Sequence, residues 1–245
     1  VGALVDAGAN AEELLAGLLS LDTGAAYRLE PVKRKGIAAT KFHVDGTDSK
    51  SHRHLPQIVK MIEGAELPAP VQSNALAVFE KLAEAEAAVH GVPKEKVHFH
   101  EVGAIDSIAD IVGACLGFHL LGVERIGCSA INVGSGTVTA DHGVMPVPTP
   151  ATALLLKGIP VYSAGPATEL CTPTGAAVVA TLASEFGRLP AMTVEATGHG
   201  SGTKEFPEMA NVLRILIGED GQIPEAIRVR VVEANLDDTS PQVVG

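Results

Sequence analysis

The stretch VHFHEVGAIDSIADIVG, residues 97–113, predicts a short strand that leads directly into a helix. In an extended backbone, His98 and His100 point to one side and Glu101 points to the other. The helix predicted over residues 107–121 is apolar around most of its circumference, and Asp106 and Asp110, four residues apart, form its one acidic edge. A strand followed by a nearly buried helix is typical of a domain in which helices pack on a sheet.

Donor atoms for a metal ion are concentrated in the same stretch. Two imidazoles and three carboxylates fall within thirteen residues, and two imidazoles on one face of a strand can share a cation. We therefore predict five candidate metal ligands: His98, His100, Glu101, Asp106 and Asp110.

The two aspartates also have a purely structural interpretation. Ser107 and Asp110 fit the capping-box pattern, and carboxylates near a helix start complement the helix dipole. Asp106 and Asp110 are therefore either ligands, or caps and outer partners of the ligands. His119 falls on the apolar side of the same helix, so we expect a core histidine there rather than a ligand.

Composition and charge exclude several classes of function. The chain has 245 residues, 46% hydrophobic and 19% charged, which indicates one large or two modest compact domains. A net charge of -11 opposes binding to nucleic-acid phosphates, and 3% aromatic residues leave few surfaces on which bases could stack. No apolar run is long enough to cross a bilayer. We expect no nucleic-acid or membrane partner.

The three cysteines indicate a reducing compartment. Their number is odd, and their spacing shows no C-x-x-C motif. A disulfide framework is therefore not expected, and we predict a cytoplasmic protein.

Strand and helix patterns alternate along the chain, which predicts an α/β fold, with α+β as the alternative, built on a mixed sheet with helices packed on it. A hairpin is expected from residues 27–33 and 38–44, and paired strands from 192–196 and 212–218 around the glycines of 198–202. Residues 45–54 and 139–150 are expected to be loops. The other predicted helices are 11–21, 55–64, 73–90 with a cap at Ser73 or Asn74, 151–157 and 176–186. The remaining predicted strands are 125–133, 161–162 and 227–234.

Three glycine-rich turns could offer backbone amides to an anion, at residues 134–136, 172–175 and 198–202. The second turn is the best candidate, because Thr172 is placed to cap a helix that begins near Pro173. Tight turns that need glycine for conformational reasons are the alternative for all three. The predicted substrate or phosphate-binding residues are Thr172, Pro173, Thr174, Gly175 and the loop histidines His142 and His199. The roles of His52, His54, Asp237 and Asp238 are left open.

Five ordered motifs together resemble the LarC family of nickel insertion proteins. They are VHFHEVGAIDSIADIVG (97–113), GVMPVPTPATALLLKGIPVY (143–162), TELCTPTGAAVVATLASEFG (168–187), GHGSGTKEFPEMANVLRI (198–215) and EANLDDTSP (233–241). The resemblance covers nearly the whole chain.

The resemblance implies a lyase-class nickel chelatase. Such an enzyme inserts Ni²⁺ into pyridinium-3,5-bisthiocarboxylic acid mononucleotide to make the nickel-pincer cofactor of lactate racemase, and it uses CTP with Mn²⁺ or Mg²⁺. The implied partners are this mononucleotide, lactate racemase and other proteins of cofactor synthesis. The oligomeric state is left open, and a homo-oligomer is one of the alternatives. Residues 172–175 would then receive the phosphate of the mononucleotide.

The chain departs from the family pattern at both ends. Family members carry a strand and a Ser-Gly-Asp-Met segment before the position of Val1, and a C-terminal domain that is implied to bind CTP. We therefore expect residues 1–218 to form the main domain, 219–245 to be a linker and the first strand of a further domain, and residues 1–245 alone to be inactive in CTP hydrolysis. His52 and His54 stand where some relatives have a longer histidine-rich loop.

Two other functions remain open from the residues alone. A nickel-binding metallochaperone or scaffold would need the same donors and no catalysis. A metal-dependent hydrolase or isomerase would need an open coordination position and a base near it.

Overall fold

The computed structural model describes residues 1–46, 53–94, 97–99, 104–140 and 142–221, and of His98 and Asp220 only the backbone. The described helices are α1 (Gly2–Asp6), α2 (Ala11–Leu19), α3 (Leu55–Gly64), α4 (Ala69–His90), α5 (Ile105–Leu120), α6 (Pro150–Leu155) and α7 (Pro173–Leu182). The described strands are β1 (Ala26–Arg34), β2 (Ile37–Asp45), β3 (Arg53–His54), β4 (His98–Phe99), β5 (Gly127–Cys128), β6 (Ile131–Asn132), β7 (Thr137–Ala140), β8 (Gly143–Pro146), β9 (Val161–Tyr162), β10 (Glu185–Phe186), β11 (Met192–Ser201) and β12 (Val212–Asp220).

The largest sheet has four strands in the order β1-β2-β11-β12. Strands β1 and β2 form an antiparallel hairpin, as do β11 and β12, while β2 and β11 run parallel. The shorter strands pair in twos, either parallel or antiparallel. Helices and a mixed sheet confirm the predicted α/β class.

Helix α1 lies directly on this sheet because two glycines of β11 leave room for it. A Cβ atom added at Gly198 would lie 2.1 Å from the carbonyl oxygen of Ala3, and one added at Gly200 would lie 2.7 Å from the amide nitrogen of Ala3. These glycines belong to the strand, so the prediction of a turn at residues 198–202 was wrong. Close backbone approach, and not anion binding, explains the first three residues of that stretch.

Helix α4 is the centre of the helical layer and packs against α3, α5, α6 and α7. Its residue Phe79 is fully buried against Phe99 of β4, with ring centres 6.5 Å apart in an edge-to-face arrangement. Burial of such a ring contributes about 1.5–3 kcal/mol before entropy is subtracted. In the part of the chain that is described, no helix is long and apolar enough to span a membrane.

Local patterns predicted many element positions, but several predictions were wrong. The loop expected over residues 45–54 ends in strand β3, and the helix expected over residues 176–186 starts at Pro173, ends at Leu182 and is followed by strand β10. Helix α4 begins at Ala69 after Pro68, and not at Ser73 or Asn74, because the two prolines that flank Ala69 are well suited to a helix start. The single strand expected over residues 125–133 is two strands, because β5 pairs with β10 and β6 pairs with β9. The loop expected over residues 139–150 contains the end of the β7–β8 hairpin and the start of α6.

Candidate functional site

The N-terminal ends of α5 and α7 open onto one cavity of about 580 Å³, a volume typical of small-molecule sites. The cavity brings together Asp106 and Asp110 of α5 with the turn at 172–175, which are 62 or more positions apart in the sequence. Its other polar or sulfur-containing lining residues are Ser107, Glu169, Cys128 and Cys171.

The α5 end of the cavity does not have the predicted capping box. The residue that caps the helix is Ala104, whose side chain makes no cap hydrogen bond. Ser107 lies inside the first turn, and its hydroxyl oxygen accepts a hydrogen bond from Thr174 Oγ1 at 3.3 Å. Asp106 Oδ1 accepts from the amide of Ser107 at 2.7 Å. The capping interpretation of Ser107 and Asp110 was therefore wrong, and Asp110 is left facing the cavity.

The carboxyl group of Asp110 is surrounded by protein yet open to the cavity. Burial raises its pKa most, and the nearby carboxylate of Asp106 raises the pKa further. The residue retains solvent-accessible surface. The two observations agree if the accessible surface belongs to the cavity and not to bulk solvent. A carboxylate that water solvates poorly gains most from a bound cation.

The α7 end of the cavity begins as the sequence predicts. Thr172 caps the helix, its Oγ1 accepts from the amide of Gly175 at 3.3 Å, and Pro173 occupies the first turn. Proline has no amide hydrogen, and the amide of Gly175 is already bonded. Within the described residues, the amides of Thr172 and Thr174 make no hydrogen bond, so this turn can still donate to an anion.

The charges around the cavity favour a cation over an anion. Three carboxylates line it, from Asp106, Asp110 and Glu169, and no lysine or arginine is among its described lining residues. A phosphate group at Thr174 would therefore be repelled unless a metal ion first neutralised the wall.

The histidine-rich part of the predicted site is only partly described. The backbone of His98 lies opposite that of His54 in the β3–β4 pair. This register joins a predicted metal ligand to a histidine whose role was left open. Predictions at His52, His100, Glu101, Asp237 and Asp238 fall outside the described residues.

The two predicted loop histidines lie away from this cavity. His142 is exposed at the turn of the β7–β8 hairpin and lines a second cavity, together with Glu86 and His90. His199 lies within β11, so the prediction of a loop position was wrong, and its amide donates to Asp6 Oδ2 at 2.7 Å. His119 is exposed, and the prediction of a core histidine was also wrong, because α5 turns this residue outward near its end.

Sequence reasoning missed Glu169. Its carboxylate accepts a hydrogen bond from Thr149 Oγ1 at 3.3 Å, and the residue lines both the main cavity and the second one. Its place three residues before the α7 cap was the available signal, since residues just before a helix start often lie beside the exposed amides. Among the described residues, those of the main cavity included, no three His, Cys, Asp or Glu side chains form a ready-made metal site.

The buried cysteines are poor candidates for metal ligands. All three are free thiols. Burial raises the pKa of Cys115 to about 12, and burial together with Glu169 and Cys128 raises the pKa of Cys171 to about 12. Without a metal ion, both thiols therefore stay protonated at neutral pH.

We expect Cys115 and Cys171 to react slowly with a thiol reagent in the folded chain. Their exposed fractions are 2% and 6%, and the reactive thiolate is scarce at mildly alkaline pH. The test is time-resolved alkylation with peptide mass mapping, with the urea-unfolded chain as the control. Alkylation at the rate of the unfolded chain would contradict the burial of these thiols.

Comparison with known proteins identifies the family. The sequence profile described as nickel insertion protein matches residues 1–245. A relative from Geotalea daltonii is 45% identical over 248 residues, one from Gloeothece citriformis is 46% identical over 261, and one from Synechococcus elongatus is 48% identical over 257. Each alignment covers 100% of this chain and 64% of the relative, and each relative is named for nickel insertion. No solved structure matches the chain. The chain belongs to the nickel insertion protein family.

Proposed function

We propose that this chain inserts Ni²⁺ into pyridinium-3,5-bisthiocarboxylic acid mononucleotide, and that the metal meets this acceptor in the cavity between α5 and α7. The observation that carries the proposal is the cavity itself. It joins Asp106, Asp110 and Glu169, which attract a cation, to a helix start whose free amide can bind an anionic group of the acceptor.

The donors around the cavity suit transfer of nickel more than storage. Carboxylate oxygens are hard ligands, whereas the sulfur and carbon atoms of the acceptor bind nickel more strongly. A metal ion held by Asp106 and Asp110 would therefore move towards the acceptor.

The apolar part of the wall suits the ring of the acceptor. Ile131, Leu170 and Val179 line the cavity beside the carboxylates. A pyridinium ring could pack on these side chains while its positive charge is balanced by the acidic wall. This arrangement supports an aromatic cation as the acceptor.

The chain spans 64% of the length of the curated relatives it matches, so the energy supply belongs to the proposal as well. We assign CTP hydrolysis with Mn²⁺ or Mg²⁺ to the share of the relatives' length that these 245 residues do not cover. The product would be the nickel-pincer cofactor, with lactate racemase as its acceptor.

The proposal is tested by product formation. The full-length protein is incubated with the mononucleotide, Ni²⁺, CTP and Mg²⁺, and the nickel-containing product is measured by mass spectrometry. We expect product from the wild type and loss of most of it when His98 and His100 are both replaced by alanine, because these imidazoles are the predicted nickel donors.

The matched control is the exposed His119→Ala variant, which should form product at the wild-type rate. Tight Ni²⁺ binding by the wild type without any product would overturn insertion and indicate a nickel carrier instead.

A further inference from the structure

A second cavity of about 210 Å³ lies between the end of α4 and the β7–β8 hairpin. Two histidines that no predicted metal site includes face each other there. The rings of His90 and His142 have their centres 4.9 Å apart, with their planes tilted by 55°.

This separation fits two imidazoles that share one metal ion. Imidazole nitrogens that bind a first-row ion at about 2.1 Å, at angles between about 90° and 110°, hold their ring centres roughly 4.5–5.2 Å apart. The observed 4.9 Å lies within that interval. The distance between the two rings therefore allows one ion to bind both.

Two further features of α4 favour a cation at this place. His90 is the last residue of a 22-residue helix, where the backbone carbonyls give the helix end a partial negative charge. Glu86, one turn earlier, has its Oε2 atom 3.4 Å from His90 Nε2. The negative charge of Glu86 favours a cation beside this ring.

The second cavity lies next to the main one and shares part of its wall. Glu169 and Pro173 line both cavities. The carboxylate of Glu169 therefore stands between an ion bound beside His90 and His142 and the cavity that carries Asp106 and Asp110.

We propose that His90 and His142 form an entry site, which binds Ni²⁺ from solution and releases it past Glu169 into the main cavity. The inference rests on the proposed function, because it takes the metal to be the nickel that is inserted. Two imidazoles fill only part of the coordination sphere of Ni²⁺, and water fills the rest. An incompletely enclosed ion exchanges readily, as an entry site requires.

The location of the pair is also suited to entry. His142 is exposed at the tip of a hairpin, while His90 is partly covered on the rigid helix α4, with 26% of its side chain accessible. The ion can therefore first meet His142 in solvent and then be held in place by His90.

Direct Ni²⁺ binding tests the entry site. Equilibrium titration with Ni²⁺ is carried out on a chain in which His98 and His100 are replaced by alanine, so that these two candidate ligands do not contribute. We expect His90→Gln plus His142→Gln to remove one bound Ni²⁺ per chain, and each single variant to weaken that binding at least tenfold.

Two variants sharpen the test. Glu86→Gln should weaken Ni²⁺ binding about 10- to 100-fold, because it removes the carboxylate partner of His90. His119→Gln is the matched control, an exposed histidine on α5 that should leave binding unchanged. Circular dichroism melts establish that every variant is folded.

Spectroscopy counts the imidazoles directly. With Cu²⁺ as the probe, electron spin echo measurements in the same background should show two coupled imidazoles, and one in either single variant. Unchanged Ni²⁺ stoichiometry and affinity in the double variant, or a Cu²⁺ signal without imidazole coupling, would overturn the entry site.

The outcome is separable from that of the insertion reaction. Product formation with unchanged Ni²⁺ binding in the His90 and His142 double variant keeps the proposed function and rejects the entry site. Loss of the bound Ni²⁺ in that variant, in a protein whose wild type forms no product, keeps the site as a metal site and rejects insertion.

Discussion

Replacing Gly198 with alanine is expected to destabilise the folded chain by about 2–4 kcal/mol, among the larger effects of a single methyl group. The added Cβ atom would lie 2.1 Å from the carbonyl oxygen of Ala3 and 2.5 Å from the amide nitrogen of Ala7. Both neighbours are backbone atoms, so no side chain can rotate away. Helix α1 would have to lift from the sheet.

The effect should spread beyond the site of substitution, because α1 is held to β11 by more than packing. Asp6, the last residue of α1, accepts a hydrogen bond from the amide of His199 and another from Thr40 Oγ1 at 3.1 Å. A displaced α1 would lose both bonds. Leu4 of α1 would also be drawn out of a core cluster that includes Ile215 and Ile217.

Chemical denaturation of the wild type and the Gly198→Ala variant measures this difference. Gly64→Ala is the control, since no atom lies within 4 Å of the added Cβ atom and the residue is in helix α3. That change should be neutral or stabilise the chain by up to about 1 kcal/mol. Equal unfolding free energies for Gly198→Ala and the wild type would show that α1 does not lie on the sheet as described.

Elements whose signal is local could be predicted from the sequence. Helix α3 and strand β9 occupy the predicted residues, and the β1–β2 hairpin turns at Lys35 and Gly36, both of which have positive φ. Each of these segments carries its turn residues and its apolar period within ten or so positions.

Features that depend on distant neighbours could not be predicted. The parallel contact of β2 with β11 joins Thr40 to Gly200, and nothing near either residue indicates the other. The same limit explains why the glycines of β11 were read as a turn. These positions need glycine because helix α1 lies on the strand, and α1 is almost two hundred positions earlier in the chain.

The residues of the candidate site also fall into these two groups, those with a local sequence signal and those that only packing brings together. Thr172 and Pro173 were predictable as a helix start, because a cap followed by proline is a local signal. That this start faces Asp110 across a cavity depends on how α5 and α7 pack. The contribution of Glu169 and the pairing of His90 with His142 likewise arise from tertiary structure.

Replacing Asp110 with asparagine is expected to weaken Ni²⁺ binding in the main cavity about 10- to 100-fold. Two unit charges at 4 Å interact by about 4 kcal/mol at an effective dielectric constant near 20, and a loss of about 1.4 kcal/mol is already tenfold. The side chain keeps its shape, so the loss reports on charge. Asp106→Asn should act in the same direction, and the double variant should form little nickel-containing product.

These effects are measured by Ni²⁺ titration of the chain in which His90 and His142 are replaced by glutamine, so that the entry site does not contribute. Asp22→Asn provides the matched control, because Asp22 is exposed, does not line the cavity and has the positive φ that asparagine tolerates. Full Ni²⁺ affinity in the Asp106 and Asp110 double variant would show that these carboxylates do not bind the metal.

The pH dependence of the same variant separates the charge of Asp110 from its shape. Its pKa is raised in the folded chain, chiefly by burial, so a proton competes with Ni²⁺ at a higher pH than at an ordinary carboxyl group. Binding to the wild type should fall as the pH drops through this raised pKa, and Asp110→Asn should lack that part of the decline.

Without metal, the Asp110 carboxylate affects the stability of the fold, and its effect has the opposite sign. The ionised carboxylate destabilises the fold fully above the folded-state pKa and not at all below the unfolded-state pKa, so Asp110→Asn should be the more stable chain at neutral pH and lose this advantage in acid. An advantage that is the same at neutral and acidic pH would show that the Asp110 pKa is not raised by folding.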